Sequence, residues 1–321
     1  MNNKSSIIDN GHNEPHGPLI SVIIVTYNNA ACLRPTLDAV FAQNYPQYEI
    51  ILVDNASQDE SLVIAREYTR PNYKIIANAT NRGFAGGNND AVAASRGEIV
   101  FLVNPDAILE PTALTEVARA FAERPDLGIL GAKLMAADGK TILHCGGHID
   151  AAAHTALYGI GELDQGQRDE IEEVDFVIGA AYALRRELWD RLGGFDEDFN
   201  PCYYEDTDQC LRCRRMSYKV LYWPRLRVIH PDRTQSADFA KSAAYQSPTF
   251  WWYHHRHRLW FQFKNASLLG LLFRVIPAEL RWYFSAQSAG LRKFMLKIYY
   301  YTLRRYVARK ILRIPAPGAR C

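Results

Sequence analysis

The feature that most constrains this chain is a series of short apolar runs in its first third, each followed by a stretch of helical character. The runs are five to seven residues long and rich in Val, Ile and Leu. They are too short for helices and typical of strands buried on both faces. The predicted strands are Leu19 to Val25, Glu49 to Val53, Tyr73 to Ala77 and Ile99 to Val103. The predicted helices that alternate with them are Ala31 to Gln43, Ser61 to Tyr68, Phe84 to Ser95 and Pro111 to Ala122. This order predicts an α/β fold with a mainly parallel central sheet flanked by helices.

Polar residues follow each of these predicted strands at its carboxyl end. In an open parallel sheet, ligands bind in the crevice beyond the carboxyl ends of the strands. We therefore expect the polar clusters after Val25, Val53, Ala77 and Val103 to meet in one crevice. The pattern alone thus predicts where a ligand binds.

Composition divides the chain into three parts. Residues 1–18 are polar and lack the apolar segment of a secretory signal, so we expect a disordered tail. Residues 19–249 hold the strand and helix pattern. Residues 250–321 are aromatic and basic, and we predict a helical C-terminal extension there.

The pattern is less regular beyond Leu127, where we expect short antiparallel pieces. The expected elements there are a mobile loop at Ala151 to Glu170, helices at Arg185 to Leu192 and Glu205 to Met216, and separate strands at Tyr218 to Tyr222 and Arg227 to His230. Gly193 and Gly194 are expected to end the first of these helices, because glycine is the common residue just past a helix C-terminus.

Charge is distributed unevenly, although the formal net charge is only +2. From Phe250 onward there are fourteen Lys and Arg residues against one acid, Glu279, whereas the rest of the chain has 23 basic and 34 acidic residues. A basic extension that is nearly free of acids indicates an anionic partner. The most apolar stretch, Leu268 to Phe284, is interrupted by charges and a proline, so we predict no transmembrane helix.

Two clusters that follow the first two strands favour binding of a nucleoside. They are Thr26-Tyr27-Asn28 and Asp54-Asn55. A carboxylate just past a strand can accept hydrogen bonds from a base N–H or a ribose hydroxyl. An aspartate that forms a turn explains Asp54 about as well.

A glycine-rich segment, Asn81 to Asn89, follows the third strand. Gly83 and Gly86 would let the backbone approach a phosphate or a ring closely, and Arg82 can pair with phosphate. The segment matches neither the P-loop nor the dinucleotide-binding pattern, so by itself it is a weak signal.

Acids and a histidine supply the remaining candidates. Asp106 in Asn104-Pro105-Asp106 suits a hard divalent cation, or it ends the strand in a turn. Glu205 and Asp206 open a helix, where acids complement the helix dipole. The alternative, functional interpretation is that they provide a general base. His230 ends a predicted strand and is either a metal ligand or a hydrogen-bonded histidine.

Taken together and in order, these clusters resemble the family-2 glycosyltransferases of the GT-A fold, in particular their rhamnosyltransferase-like branch. The resemblance covers residues 19–258 and rests on five motifs in the right order. They are SVIIVTYNN at 21–29, VDNASQD at 53–59, NRGFAGGNN at 81–89, LVNPDA at 102–107 and GGFDEDFNPCYYEDTDQCLRCR at 193–214.

The resemblance implies a role for each candidate residue. The donor-binding residues would be Thr26, Tyr27, Asn28, Asp54, Asn55, Arg82, Gly83, Gly86, Asn104 and Asp106. Asp106 and His230 would bind Mg²⁺ or Mn²⁺, and Asp206, with Glu205 beside it, would be the catalytic base. The family also uses two acids in its D-x-D motif; here Asn104 occupies the first position, which departs from that pattern.

The resemblance also implies an inverting sugar transfer from a nucleotide diphosphate donor, with dTDP-L-rhamnose favoured over UDP- and GDP-sugars. The acceptor would be a glycan or a polyprenyl-linked glycan in surface polysaccharide synthesis. The basic, Trp- and Tyr-rich extension favours contact with an anionic membrane surface, on the inner face of the cell membrane, and no nucleic-acid partner. The alternative is a helical cap on the catalytic domain with a solvated outer face.

Three other functions fit the sequence less well. A sugar nucleotidyltransferase needs a glycine-rich, basic loop after the first strand, whereas this chain has TYNNAACLRP there. A non-catalytic nucleotide-sugar or membrane-binding protein would leave the acids and His230 without a purpose. Binding of nucleic acid by the basic extension would appear as binding to DNA as well as to anionic vesicles.

Overall fold

A computed structural model describes residues 17–231, 247–285 and 289–311 of the 321-residue chain. The predicted N-terminal tail therefore lies almost entirely outside the described residues. The strands are β1 (Ile20–Thr26), β2 (Tyr48–Asp54), β3 (Tyr73–Ala77), β4 (Ile99–Val103), β5 (Ile108–Leu109), β6 (Leu127–Met135), β7 (Ile142–His144), β8 (Gly147–Ile149), β9 (Thr155–Leu157), β10 (Glu172–Glu173), β11 (Ala181–Arg185) and β12 (Lys219–Ile229).

The helices lie between these strands and after them. They are α1 (Ala30–Phe41), α2 (Ser61–Arg66), α3 (Gly83–Ala93), α4 (Ala113–Glu123), α5 (Arg186–Leu192), α6 (Glu205–Arg215), α7 (Pro248–Asn265), α8 (Leu268–Gly270), α9 (Ile276–Ser285) and α10 (Ala289–Tyr306). A 3₁₀ turn spans Glu197–Phe199, and π-helical turns span Leu271–Val275 and Val307–Ile311. Gly193 ends α5 in the left-handed conformation, at φ 74°, as the sequence predicts.

One large sheet organises the described residues, in the order β10-β12-β6-β11-β4-β1-β2-β3, with β5 on β12 and β7 on β6. Strands β4, β1, β2 and β3 pair in parallel, and β12 pairs in parallel with β6. Strand β11 is antiparallel to both of its neighbours. The predicted α/β fold with a mainly parallel central sheet is thus confirmed, and the carboxyl ends of the first four strands lie along one edge.

The sheet is covered on both faces, as the continuous apolar runs predict. Successive side chains of a strand point to opposite faces. On β1, Ile24 therefore packs into one core with Leu37 of α1, while Ile23 packs into the other with Val53 and Tyr182.

The prediction of two strands near residues 218–230 is wrong. Strand β12 runs without a break from Lys219 to Ile229. Its pairing with β6 shifts register between Trp223 and Arg227, as at a β-bulge. The Trp223-Pro224-Arg225 sequence at this irregularity broke the apolar pattern, which is why the sequence indicated a gap.

The segment predicted as a mobile loop, 151–170, contains strand β9, which pairs with β8. The buried Lys133 of β6 also holds this segment, with Nζ 2.9 Å from Asp164 and 2.6 Å from Asp169. These contacts were invisible to a local pattern because they join residues more than thirty positions apart.

The C-terminal helices pack on the α/β domain. Every residue of α7 from His255 to Gln262 is buried, so this part of the helix is enclosed on all sides. Arg258, whose side chain is fully buried, forms an ion pair with Glu279 of α9 at 2.5 Å. Tyr299 of α10 donates a hydrogen bond to the same carboxylate at 3.1 Å. Within the described ranges, no helix is both long enough and apolar enough to span a bilayer.

Candidate active site

The loops after β1 and β2 bond to each other at the carboxyl edge of the sheet. The amide of Asn55 donates to the carbonyl of Thr26 at 2.9 Å. Asn28, at φ 56°, accepts from the amide of Gln58 at 2.7 Å through its side-chain oxygen. Asparagine tolerates this left-handed conformation better than most residues. Thr26 is buried, whereas Tyr27 between these residues is 43% exposed. The predicted Thr26-Tyr27-Asn28 and Asp54-Asn55 clusters are therefore adjacent.

One carboxylate oxygen of Asp54 accepts a hydrogen bond, whereas the other has no hydrogen-bond partner among the described residues. Its side chain is 2% exposed, and Oδ2 accepts from the amide of Ser57 at 3.1 Å. Oδ1 is buried and has no hydrogen-bond partner within the described part of the chain. Because an unpaired buried carboxylate oxygen costs free energy, this geometry favours a ligand donor at Oδ1.

Asn55 ties the same cluster to the glycine-rich segment. Its Nδ2 donates to the carbonyl of Gly83 at 2.9 Å, and its Oδ1 accepts from Asn78 at 2.9 Å. Gly83 has φ 70°, and a Cβ there would lie 2.5 Å from the Asn200 side-chain oxygen. The close approach that Gly83 permits is therefore to the turn before α6.

Arg82 is held by two carboxylates. Its Nε lies 2.7 Å from Asp90, and one terminal nitrogen lies 3.0 Å from Glu197. A Cβ at Gly86 would lie 2.9 Å from the Arg82 Cβ, so Gly86 makes room for this arginine. No local pattern pointed to Glu197, which lies 115 positions away along the chain.

The predicted metal residues lie together where β4 and β12 end. Nε2 of His230 is 3.1 Å from Oδ1 of Asp106 and 3.2 Å from Nδ2 of Asn104. A carboxylate oxygen and an imidazole nitrogen at this separation fit a divalent cation that is otherwise coordinated by water and by oxygens of a bound substrate. Among the described residues no group of three or more His, Cys, Asp or Glu gathers as a metal site. The described residues thus bring two candidate donors together, with Asn104 beside them.

Asp206 lies at the amino end of α6, where two backbone amides face its carboxylate. Oδ2 accepts from Gly179 at 2.9 Å, and Oδ1 accepts from Thr207 at 2.6 Å. Burial raises the pKa of Asp206, and these hydrogen bonds offset part of that increase. Gly179 interrupts an apolar run, which was the one sequence signal for this contact.

Glu205 is the more deeply buried neighbour. It is 4% exposed, and its Oε2 has no hydrogen-bond partner within the described ranges. Burial, followed by repulsion from Asp206, raises the pKa of Glu205 well above its usual value. Burial raises the pKa of both carboxyl groups, that of Glu205 more strongly, so Asp206 is the better candidate for the carboxylate of the pair.

The turn before α6 adopts an uncommon backbone conformation. Tyr203 and Tyr204 have φ values of 79° and 74°, which bulky residues rarely adopt. The Tyr204 hydroxyl donates to the carbonyl of Ala153 at 2.8 Å, and its ring packs on Phe261 of α7. His257 of α7 also contacts the carbonyl of Cys202, with Nδ1 at 2.8 Å. Helix α7 thus helps to fix the turn that leads to Asp206, a role that the sequence did not reveal.

Backbone contacts bring the Asp106–His230 pair close to Glu205 and Asp206. The amide of Asn104 donates to the carbonyl of Ala180 at 2.9 Å, and Asp206 bonds to the preceding residue, Gly179. Phe84 lies against the same glycine. A Cβ at Gly179 would be only 2.8 Å from the Phe84 ring. The four predicted clusters therefore line one edge. Arg82, which the sequence suggested as a partner for phosphate, is paired with Asp90 and Glu197.

Comparisons with known proteins agree with this architecture. The O-antigen biosynthesis protein RfbC of Myxococcus xanthus is 28% identical over 253 residues, which is 76% of this chain and 19% of that protein. The chain spans only 19% to 24% of the length of two such curated relatives.

Two solved structures share the GT-A fold of this chain. The mannosyltransferase PcManGT of Pyrobaculum calidifontis, in complex with GDP-Man and Mn²⁺, aligns with a TM-score of 0.56 at 20% identity, over 92% of this chain and 76% of that one. GalNAc-T7 with UDP, GalNAc and Mn²⁺ aligns with a TM-score of 0.63 at 14% identity, over 95% and 60%. These likenesses establish the fold.

The sequence profile described as glycosyl transferase family 2 matches residues 21–193, more than half of the chain. The matched region contains the loops after β1, β2 and β4, together with the glycine-rich segment. This chain belongs to glycosyl transferase family 2.

Proposed function

We propose that the protein is an inverting, metal-assisted glycosyltransferase that moves rhamnose from dTDP-L-rhamnose to a hydroxyl of a glycan acceptor in surface polysaccharide synthesis. The observation that carries the proposal is the short path from Asp206 through Gly179 and Ala180 to Asn104, beside the Asp106–His230 pair. This path brings a candidate base next to a candidate leaving-group site.

The donor occupies the crevice at the carboxyl edge. Thr26, Tyr27 and Asn28 line the nucleoside site, and the unpartnered oxygen of Asp54 accepts a hydrogen bond from the base or the ribose. Arg82 shapes the glycine-rich turn through its ion pairs with Asp90 and Glu197. Gly83 and Gly86 let that turn pack closely.

Asp206 acts as the general base. Its carboxylate takes the proton of the acceptor hydroxyl while the hydroxyl oxygen attacks the anomeric carbon. The bond from that carbon to the diphosphate oxygen breaks, and the nucleoside diphosphate leaves with the electron pair. Attack from the opposite face inverts the configuration. The amides of Gly179 and Thr207 hold the carboxylate in position for this transfer.

Asp106 and His230 would hold the divalent cation, Mg²⁺ or Mn²⁺. The chemistry that the ion supplies when bound is charge neutralisation at the diphosphate. Asn104 accompanies this pair instead of a second acid. The Mn²⁺ in the two solved structures described above supports this assignment.

The acceptor is a polyprenyl-linked glycan presented at an anionic membrane surface, and the protein is peripheral on the cytoplasmic face. The basic C-terminal helices that contact the turn before α6 support this location. The relationship to an O-antigen biosynthesis protein supports a role in surface polysaccharide synthesis.

Nucleotide-sugar binding, followed by thermal shift, is the first test. The melting temperature is measured with dTDP-rhamnose, UDP-sugars and GDP-sugars, each with and without Mn²⁺ or Mg²⁺. A ligand that binds the folded state raises the melting temperature. We expect the largest metal-dependent shift with dTDP-rhamnose.

Two other outcomes lead to different conclusions. A larger shift with a UDP- or GDP-sugar would keep the glycosyl transfer and replace the donor. A metal-dependent shift without turnover on any acceptor would favour a non-catalytic nucleotide-sugar-binding protein.

A further inference from the structure

The outer side of α8, the π-helical turn and α9 carries an apolar stripe. Its residues recur every three or four positions, the spacing of one helix face. The stripe consists of Leu269, Leu272, Phe273, Ile276, Leu280 and Phe284, which are 41% to 78% exposed. Phe273 and Phe284 are the most exposed, at 78% and 71%.

The opposite side of the same helices is already used for packing. Leu271, Val275 and Glu279 are buried, and Glu279 makes the ion pair with Arg258. The C-terminal extension therefore does cap the domain, but its outer face is apolar rather than the solvated face of the cap alternative. Contiguous exposed apolar surface of this kind marks an interaction site.

Basic residues border the stripe. Arg274 and Arg281 are exposed on the helices that carry it. Helix α10 repeats the arrangement, with exposed Leu296, Tyr300 and Leu303 and with exposed basic residues between them. The exposed basic residues on α10 are Arg292, Lys293, Lys297 and Arg304. Glu279, the one acid after Phe250, is buried and forms an ion pair with Arg258.

We propose that the Leu269–Phe284 stripe inserts into the interfacial region of an anionic lipid bilayer. An apolar helix face bordered by Lys and Arg fits the boundary between acyl chains and anionic headgroups. A second copy of the chain fits less well, because face-to-face packing would bring two acid-free basic borders together. The inference rests on the proposed membrane-borne acceptor and names the surface that reaches it.

The stripe is connected to the candidate active site through α7. Arg256 and His257 bond to the carbonyls of Asn200 and Cys202, in the turn that leads to Asp206. Helix α7 meets α9 at the Arg258–Glu279 pair. Insertion of the stripe thus holds the crevice at a fixed distance from the lipid surface, within reach of an acceptor on a lipid diphosphate.

Vesicle flotation of the full chain tests the proposal. The vesicles are phosphatidylcholine alone or phosphatidylcholine with phosphatidylglycerol. We expect binding to the mixed vesicles and a loss of at least about tenfold for Phe273→Asp/Phe284→Asp. Arg274→Gln and Arg281→Gln should each weaken binding by about fivefold, and only on the mixed vesicles.

The matched control is Val63→Asp/Leu163→Asp, which changes two other apolar side chains that are 61% and 59% exposed. This variant should bind vesicles like the wild type, and all variants should melt at the wild-type temperature. Equal loss in the control, unchanged binding of Phe273→Asp/Phe284→Asp, or no vesicle binding by the wild type would each overturn the proposal. A dimer that dissociates in Phe273→Asp/Phe284→Asp while vesicle binding persists would identify a second copy as the occupant.

Donor hydrolysis without acceptor separates this inference from the proposed function. Phe273→Asp/Phe284→Asp should hydrolyse dTDP-rhamnose at the wild-type rate, since the stripe lies outside the crevice. If the wild type binds vesicles through the stripe but neither hydrolyses nor transfers any sugar, the proposed function fails and the membrane surface stands.

Discussion

Glu205 and Asp206 are adjacent in sequence but have different surroundings. Two amides face Asp206, whereas one oxygen of Glu205 has no partner within the described ranges. Burial, followed by repulsion from Asp206, raises the pKa of Glu205 and so disfavours two like charges side by side. We therefore expect Asp206 to be the member of the pair that ionises first.

Replacing Asp206 by Asn should lower the rate of sugar transfer by about 10²- to 10⁴-fold, the range for a lost general base. Donor binding, measured by thermal shift, should stay at the wild-type level. The surface acid Asp126 offers a control, because Asp126→Asn leaves the crevice untouched. Transfer by Asp206→Asn within a few-fold of the wild-type rate would remove this residue from the role of base.

The pH profile of transfer should also report Asp206. Its pKa is raised by burial, and the base must be deprotonated to act. We therefore expect transfer to fall, as the pH decreases, at a pH above the usual carboxyl pKa of about 3.9. An acidic limb that is unchanged in Asp206→Glu or that lies below the usual value would contradict this assignment.

Glu205 should make the protein less stable as the pH rises. Because its pKa is higher in the folded than in the unfolded chain, the folded state favours the protonated form. The stabilisation is complete below the unfolded pKa of about 4.3 and is lost as the pH rises through the folded value. In Glu205→Gln, the free energy of unfolding measured with urea should fall less between pH 5 and pH 8 than in the wild type. An equal fall in both proteins would show that Glu205 is not held neutral.

Asp106 should be required for the metal-dependent part of donor binding. In Asp106→Ala, the additional melting-temperature increase that Mn²⁺ gives with the donor should disappear, because the carboxylate that we assign to the ion is removed. Metal-free nucleotide binding through the Asp54 loop should persist. Glu110→Gln, which changes an exposed acid four residues away, is the control. A full metal effect in Asp106→Ala would place the ion elsewhere.

The helices of the extension are joined by a buried charge pair. Removing one partner of such a pair leaves the other charge buried and costs about 3–5 kcal/mol. We expect this loss for Glu279→Gln, which leaves Arg258 without its partner. Urea unfolding measures it, and Glu67→Gln, which breaks the exposed Arg34–Glu67 pair, should cost much less. Equal losses in the two variants would mean that the buried pair does not hold the helices together.

The first strands and helices could be predicted because each has a strong local pattern. The observed β3 and β4 match the predicted bounds, and β1, β2 and α1 differ by one or two residues at each end. The merging of two predicted strands into β12 could not be predicted, because it depends on pairing with β6 across a register shift. Local patterns thus predicted elements but not the long-range contacts that extend them.

The same limit applies to the candidate site. Asp54, Asp106 and Asp206 stood out because each follows a strand or opens a helix. The Glu197 partner of Arg82 and the support of Tyr204 by α7 carry no comparable signal, since they join distant segments. For His230 the residue pattern left two interpretations open, the resemblance favoured a metal ligand, and the structure shows its contact with Asp106.

The molecule as a whole joins an acidic α/β domain to a basic helical extension, and ion pairs cross the junction. Lys264 bonds to Asp196 and Asp208, and Arg305 bonds to Asp198. Burial alone would raise the pKa of Asp196, but Lys264 lowers it below its usual value. The extension therefore neutralises acids that lie beside the candidate site.

A chain that ends at residue 265 should be less stable than the full chain. It loses Glu279, the partner of Arg258, and Arg305, a partner of Asp198. We expect a loss of at least about 3 kcal/mol in the free energy of unfolding, together with reduced sugar transfer to water-soluble acceptors. Thermal unfolding and a soluble-acceptor assay measure the two effects. Unchanged stability and transfer would show that the helices after residue 265 support neither the fold nor the candidate site.

The three consecutive acids Asp196, Glu197 and Asp198 face three different parts of the protein. They bond to Lys264 of α7, to Arg82 before α3, and to Arg305 of α10. A chimaera that exchanges only the C-terminal helices with those of a relative would therefore separate two of these acids from their partners. The interchangeable module comprises the helices together with residues 196–198, and recombination between relatives should preserve activity only where the crossover keeps them together.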